Sequence, residues 1–204
     1  MDGVFMKKII KISVCLLLFM FVLFLADVWQ DKNALQENLI RLHVVANSDS
    51  QRDQEIKLQV KDAIIAYLQP LVDGFADKEQ AMEYVTDNLA SIEQIANAVL
   101  QAYGESDRAT AYISAESFDT RKYETFSLPA GIYDSLRIQI GEGRGKNWWC
   151  VVFPSLCLPA TSNEFQDTAV SSGFSEDLGN ALVSGTNLRF FILDCWGKLE
   201  KLFN

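Results

Sequence analysis

Hydrophobic and polar positions divide the chain into three regimes, and the first is almost wholly apolar. Lys7, Lys8 and Lys11 precede an apolar run from Ile12 to Ala26, broken only by Ser13, the order of a basic region and a hydrophobic segment in an export signal. Its fifteen residues fall short of the ~20 that cross a bilayer core as a helix, but Ile9 and Ile10 extend the run if Lys11 bends its ammonium back to the interface. Cleavage after Ala26 would put the bulky Phe24 where a small residue is wanted. Residues 1–26 are therefore read as a cleaved signal peptide or a retained membrane anchor, with the lysines on the inner side in both cases. Residues 27–38 follow as a linker and residues 39–204 as a single exported domain.

The second regime has helical spacing, after one short strand. LIRLHVVANSDS, residues 39–50, alternates Ile40, Leu42 and Val44 with Arg41 and His43, then stops in turn and cap residues. Ser50 is placed to cap a helix whose apolar face runs through Ile56, Val60, Ile64 and Leu68 up to Pro70. A second helix is predicted from Asp77, with Gln80 completing a capping box, to Gly104. Met82, Val85, Leu89, Ile92, Ala96, Val99 and Tyr103 alternate steps of three and four along it, the pattern of a helix packed on a core.

From Arg108 the period becomes two. TAYIS, RKYETFSLP, SLRIQI and NWWCVVF read as strands, and GEGRGKN, residues 141–147, as a loop between the last two. That glycine loop is no dinucleotide fingerprint, because a strand follows it. The polar stretch from Pro159 to Ser175 is expected to be a surface loop. Beyond it a helix should line one face with Leu188, Ile192, Cys195, Trp196, Leu199 and Phe203. The pattern predicts an α+β fold with helices packed on a small, mostly antiparallel sheet.

Composition narrows the function more than it changes the fold. With 27 acidic and 18 basic residues and a net charge of −9, the chain lacks the clustered cations that bind nucleic acid. His43 is the only histidine, so a nucleophile–histidine arrangement would have to be built around a strand residue. Cys150 and Cys157 do not have zinc-finger spacing, and Asn47, Asp49 and Asp53 lack the glycine and glutamate of a calcium loop. No metal or cofactor is expected. In an exported segment a turn at Pro154 could bring Cys150 and Cys157 into a disulfide, leaving Cys195 odd; the alternative is three free, buried cysteines packed as small apolar side chains. Trp148 and Trp149 point to opposite faces of a strand, so one of them is left as a contact residue for a partner.

Two stretches together resemble a known family. IRLHVVANSDSQRDQEIKLQVKDAI, residues 40–64, and LPAGIYDSLRIQIGEGRGKNWWCVVFPSLC, residues 128–157, are similar to stage II sporulation protein R of endospore-forming bacteria. The matching motif residues are Asn47, Ser48, Asp49, Asp53, Gln54, Lys57, Pro129, Gly131, Asn147, Trp148, Trp149, Cys150, Pro154 and Cys157. The resemblance implies a signal rather than an enzyme: a protein exported from the forespore into the intermembrane space. There it would activate a membrane-embedded aspartic-type peptidase that removes the pro-sequence of the early mother-cell sigma factor. Asn47, Asp49, Asp53, Trp148 and Trp149 become the candidates for contact with that peptidase. Two other readings compete, an exported hydrolase of wall or protein using Asp49 or Asp53 as acid or base, and a scaffold of the intermembrane space.

Overall fold

The computed structural model describes residues 3–72, 74–154 and 162–203. In chain order the elements are α1 (Gly3–Asn38), β1 (Ile40–Val45), α2 (Gln51–Val72), α3 (Lys78–Asp87), α4 (Leu89–Ala102) and β2 (Ala109–Phe118). They continue with β3 (Arg121–Lys122), β4 (Ser127–Leu128), β5 (Gly131–Ile140), β6 (Asn147–Phe153), α5 (Ser162–Ser171), α6 (Glu176–Ser184) and α7 (Leu188–Phe203). The fold is α+β. Four strands form a mixed sheet in the order β2-β5-β1-β6, with β1 parallel to β5 and the two outer pairings antiparallel.

Side-chain alternation divides the sheet into two faces. Ile40, Leu42, Val44, Leu136, Ile138, Cys150 and Val152 turn to one side and form a core with Ile56, Val60, Ile64 and Leu68 of α2 and Ile92, Ala96 and Leu100 of α4. The opposite face is covered by a second cluster built from Val28 and Leu35 of α1, Phe165 of α5, Leu178 and Leu182 of α6, and Phe190 and Leu193 of α7. Because β1 is central and both faces are covered, all six of its residues are buried, including Arg41 and His43.

α1 is a 36-residue helix, and its stretch from Phe5 is long and apolar enough to cross a membrane. The stretch 27–38, expected as a linker, is the last part of that helix. It is tied to the domain by Arg189 of α7, which pairs with Asp27 at 2.5 Å and with Asp31, and by Lys32, which meets Glu200 at 3.0 Å.

Four local expectations are corrected. The helix predicted from Asp77 to Gly104 is two helices. It starts as predicted, with the Asp77 carboxylate accepting from the Gln80 N–H at 3.0 Å, but breaks at Asn88, whose amide side chain donates to the Tyr84 carbonyl at 2.9 Å. An asparagine satisfying the preceding turn in this way competes with helix continuation. RKYETFSLP is a separate small hairpin of β3 and β4 rather than a strand of the main sheet. The expected loop from Pro159 to Ser175 contains α5, whose Phe165 and Ala169, one turn apart, are fully buried. Finally, the buried face of α7 is Phe190 and Leu193, with Asp194 beside them, while Leu188 and Leu199 are exposed. Gly197 lets that face approach, since a Cβ there would strike the backbone of Ala130.

Candidate functional site

Motif residues from two distant stretches, 47–57 and 141–147, meet at one end of the sheet. Leaving β1, the chain makes a polar turn whose side chains hold the glycine loop that enters β6. Asn47 accepts the Glu142 N–H at 2.9 Å and donates to Asp107 at 2.9 Å. Asp49 accepts the Lys146 N–H at 2.7 Å. Asp53 takes the Ser48 hydroxyl, and its own N–H is capped by Ser50 at 3.1 Å. Backbone bonds from Arg144 to Asn47 and from Gly145 to Ala46, 3.1 and 2.9 Å, complete the seam.

Lys57 of α2 lies beneath this junction. Its ammonium donates to the Lys146 carbonyl at 3.0 Å and to Gln54 at 2.7 Å, and Gln54 in turn donates to the Ser48 carbonyl. Burial lowers the pKa of Lys57, with the Asp49 carboxylate opposing that shift. Asn47, Ser48, Asp49, Asp53, Gln54 and Lys57 thus form one hydrogen-bonded knot. The carboxylates of Asp49 and Asp53 are engaged by backbone and hydroxyl donors within it, which is the arrangement of turn and helix caps rather than of two carboxyls sharing a pocket.

Beyond the knot, the tryptophans diverge as strand alternation requires. Trp148 turns to the face covered by α2 and α4, 38% exposed, with the Lys61 ammonium 4.8 Å from its ring centroid. Trp149 turns to the other face, stacked on His43 with centroids 5.5 Å apart and covered by the Arg121 guanidinium at 3.5 Å. Cys150 is disulfide-bonded, whereas Cys15 and Cys195 are free thiols. Cys157 lies outside the described residues.

Sequence reasoning missed the row to which Trp149 belongs. Register aligns Tyr112 of β2 with Arg137 of β5, Arg137 with His43 of β1, and His43 with Trp149 of β6. Glu116 joins this row from β2, meeting His43 Nδ1 at 2.5 Å and Arg137 at 3.2 Å. Burial opposes its charge, but His43, Ser114 and Arg137 together hold its carboxyl below the usual range. Two residues along β1 on the same face, the fully buried Arg41 donates to the Tyr123 hydroxyl at 2.8 Å and lies 3.9 Å from the Phe118 ring centroid. Alternation in β1 could have placed Arg41 and His43 on one face; the alignment of the other strands is not written locally.

The remaining motif, LPAG-x-Y, is a support for α7. The Ala130 N–H donates to Asp194 at 2.9 Å, and the Tyr133 hydroxyl donates to the Pro129 carbonyl at 3.0 Å. Burial opposes the charge of Asp194, yet the Ala130 N–H, Lys198 and Thr120 hold its carboxyl below the usual range. Burial also raises the pKa of Tyr133. A groove of ≈ 530 Å³ between α3 and the start of β5, lined by Lys78, Met82 and Asp134 among others, lies at the opposite end of the sheet from the knot.

A family model described as stage II sporulation protein R matches residues 36–163, a span containing the knot, both tryptophans and the LPAG-x-Y support. The chain belongs to the stage II sporulation protein R family. A curated relative, "Stage II sporulation protein R" of Bacillus subtilis (strain 168), is 34% identical over 129 residues, covering 63% of this chain and 58% of the relative. The chain is thus matched over little more than half the length of that relative. No solved structure matches. Membership supports a role in sporulation, and the apolar N-terminal helix suits a signal or anchor segment. The family motifs are seen here as three joints: turn to loop, strand to strand, and, reaching beyond the matched span, sheet to α7.

Proposed function

We propose that this member of the stage II sporulation protein R family is an exported signalling protein, which activates a membrane-embedded aspartic-type peptidase processing the pro-form of the early mother-cell sigma factor. The observation that carries the reading is the family match over residues 36–163, which spans most of the domain outside the apolar helix. Two features support it. The domain is held against the end of α1 by Arg189 and Lys32, so a retained helix would present it at a fixed height above the membrane. The knot also fixes where β6 begins, and with it the half-exposed Trp148, a residue type favoured as an interface anchor.

The test is reconstitution in a non-sporulating host that makes the peptidase and the pro-sigma factor, with or without this chain. Pro-sequence removal that requires the chain, and that falls when Trp148→Ala is introduced into a protein that still folds, is the expected result. Processing that proceeds equally without the chain would overturn activation. A requirement for one chain per processed substrate would instead favour a scaffold.

A further inference from the structure

β2 is one outer strand of the four-stranded sheet, and its free edge is closed for only part of its length. Ala109 directs its N–H to the Asn97 amide oxygen at 2.9 Å and accepts from Asn97 through its carbonyl at 3.0 Å. Ala111 directs its N–H to the Glu93 carboxylate at 3.2 Å. Both residues therefore point their backbone groups away from β5, toward α4. In an antiparallel pair a residue's N–H and C=O point the same way, and the direction reverses at each step. The pairing of β2 with β5 is continuous from Ala109 to Phe118 without a bulge, so Ile113, Ala115 and Ser117 must also present both groups outward. Beyond Ala111, no side chain among the described residues meets them as Asn97 and Glu93 meet the first two, and Ala115 and Ser117 are exposed.

Soluble proteins protect an open edge with lysine, proline, a bulge or an inward-pointing charge. β2 has no proline, lysine or bulge, and its one charged residue, Glu116, is paired with His43 and Arg137. We propose that the edge Ile113–Ser117 is a strand-addition site for an extended, proline-free, neutral-to-basic segment of another protein. Unpaired backbone donors and acceptors at strand spacing select an extended polypeptide. The occupant's charge follows from the chain's net charge of −9 and from the Glu93 carboxylate at the border of the edge. A second copy fits less well. Edge-to-edge pairing would bring two domains of the same acidic charge together.

This inference goes beyond the peptidase reading, and its test uses no peptidase. The full chain in detergent is titrated with a fluorescein-labelled peptide, Lys-Thr-Val-Thr-Val-Thr-Lys, while amide exchange is followed by NMR. In the free chain the amides of Ile113, Ala115 and Ser117 should exchange faster than those of Ser114 and Glu116, and the peptide should slow the first set alone. Ala115→Pro removes an outward N–H without breaking the β2–β5 ladder and should weaken binding by about ten-fold or more, ~1.4 kcal/mol. Ala115→Val, which keeps that N–H, should bind like the parent. Ser117→Pro repeats the test should Ala115→Pro not fold. Equal binding to a folded proline variant, protection of the wrong set of amides, or no binding at about 1 mM overturns the proposal. Protection that grows with protein concentration alone, with dimer mass, would assign the edge to a second copy and overturn it as well.

Discussion

His43 and Trp149 occupy directly opposed positions on β1 and β6, and their rings stack 20° from parallel. The adjacent Trp148 belongs to the other face of the sheet and meets Lys61. Two neighbouring tryptophans of one motif therefore have different work. Trp149→Ala should destabilise the domain by roughly 1–3 kcal/mol, because it uncovers His43 and leaves Arg121 without the ring beneath it. Trp148→Ala should change thermal stability little. Melting both variants checks this, and the ordering would be refuted if Trp148→Ala were the more damaging.

Glu116 gives the row a pH dependence. Burial works against its charge, but the hydrogen bonds from His43, Ser114 and Arg137 and the charge of His43 leave its folded pKa below the ordinary glutamate value. The unfolded chain then takes the proton first. The stability that Glu116 contributes is complete above about pH 4.3 and is lost as pH falls through that value toward its folded pKa. Glu116→Gln should melt lower than the parent at neutral pH, and the gap should narrow on acidification. Melting curves at several pH values measure that gap, and a constant gap would assign the effect to packing alone.

Elements set by neighbouring residues were legible in the sequence, and those set by distant ones were not. Ser50 and Asp77 act as the predicted caps because a cap is a contact between residues three apart. The break at Asn88 depends partly on Tyr67 of another helix, whose hydroxyl faces the Asn88 side chain at 3.4 Å. α5 was missed because its inward face comprises only Phe165 and Ala169 among polar residues, and Phe165 packs on Phe126 of the hairpin, centroids 4.3 Å apart. The buried face of α7 was misplaced for a similar reason. Leu188 and Leu199 fit the apolar period, but the closeness of Gly197 to Ala130 turns them outward. For the site, Asn47, Asp49 and Asp53 stood out as a polar cluster; Asp53 is held locally by Ser48 and Ser50, but the engagement of Asn47 with Glu142 and of Asp49 with Lys146 is a contact across nearly a hundred residues.

The knot depends on a glycine that has no unusual backbone angle to mark it. At Gly145 a Cβ would run into the Ser48 carbonyl, a backbone atom that cannot swing aside. Gly145→Ala should push the loop off the turn and cost about 1–3 kcal/mol, the usual range for overpacking. It should also speed amide exchange at Gly145 and Lys146, whose N–H groups bond Ala46 and Asp49. Chemical denaturation combined with hydrogen exchange reads both effects; a parent-like loop in Gly145→Ala would show that the turn yields more easily than its hydrogen bonds imply.

Arg189 decides what cleavage at the end of the apolar run would do to the domain. Its guanidinium, only 12% exposed, pairs with Asp31, 5% exposed, and with Asp27. Asp31 also takes the Ser175 hydroxyl at 3.1 Å, the residue that caps α6 through the Leu178 N–H at 3.0 Å. A chain starting at Asp27 keeps every one of these contacts, together with the buried Val28 and Leu35, and should melt with the domain of the full chain. A chain starting at Leu39 keeps only the Ser175 cap of these, loses the contacts of Asp27, Val28, Asp31 and Leu35, and should be markedly less stable. Arg189→Ala leaves Asp31 buried without its cation, which typically costs on the order of 3 kcal/mol, and should open residues 27–38 to limited proteolysis. If the chain starting at Leu39 proved as stable as the one starting at Asp27, the end of α1 would be an attachment rather than part of the fold.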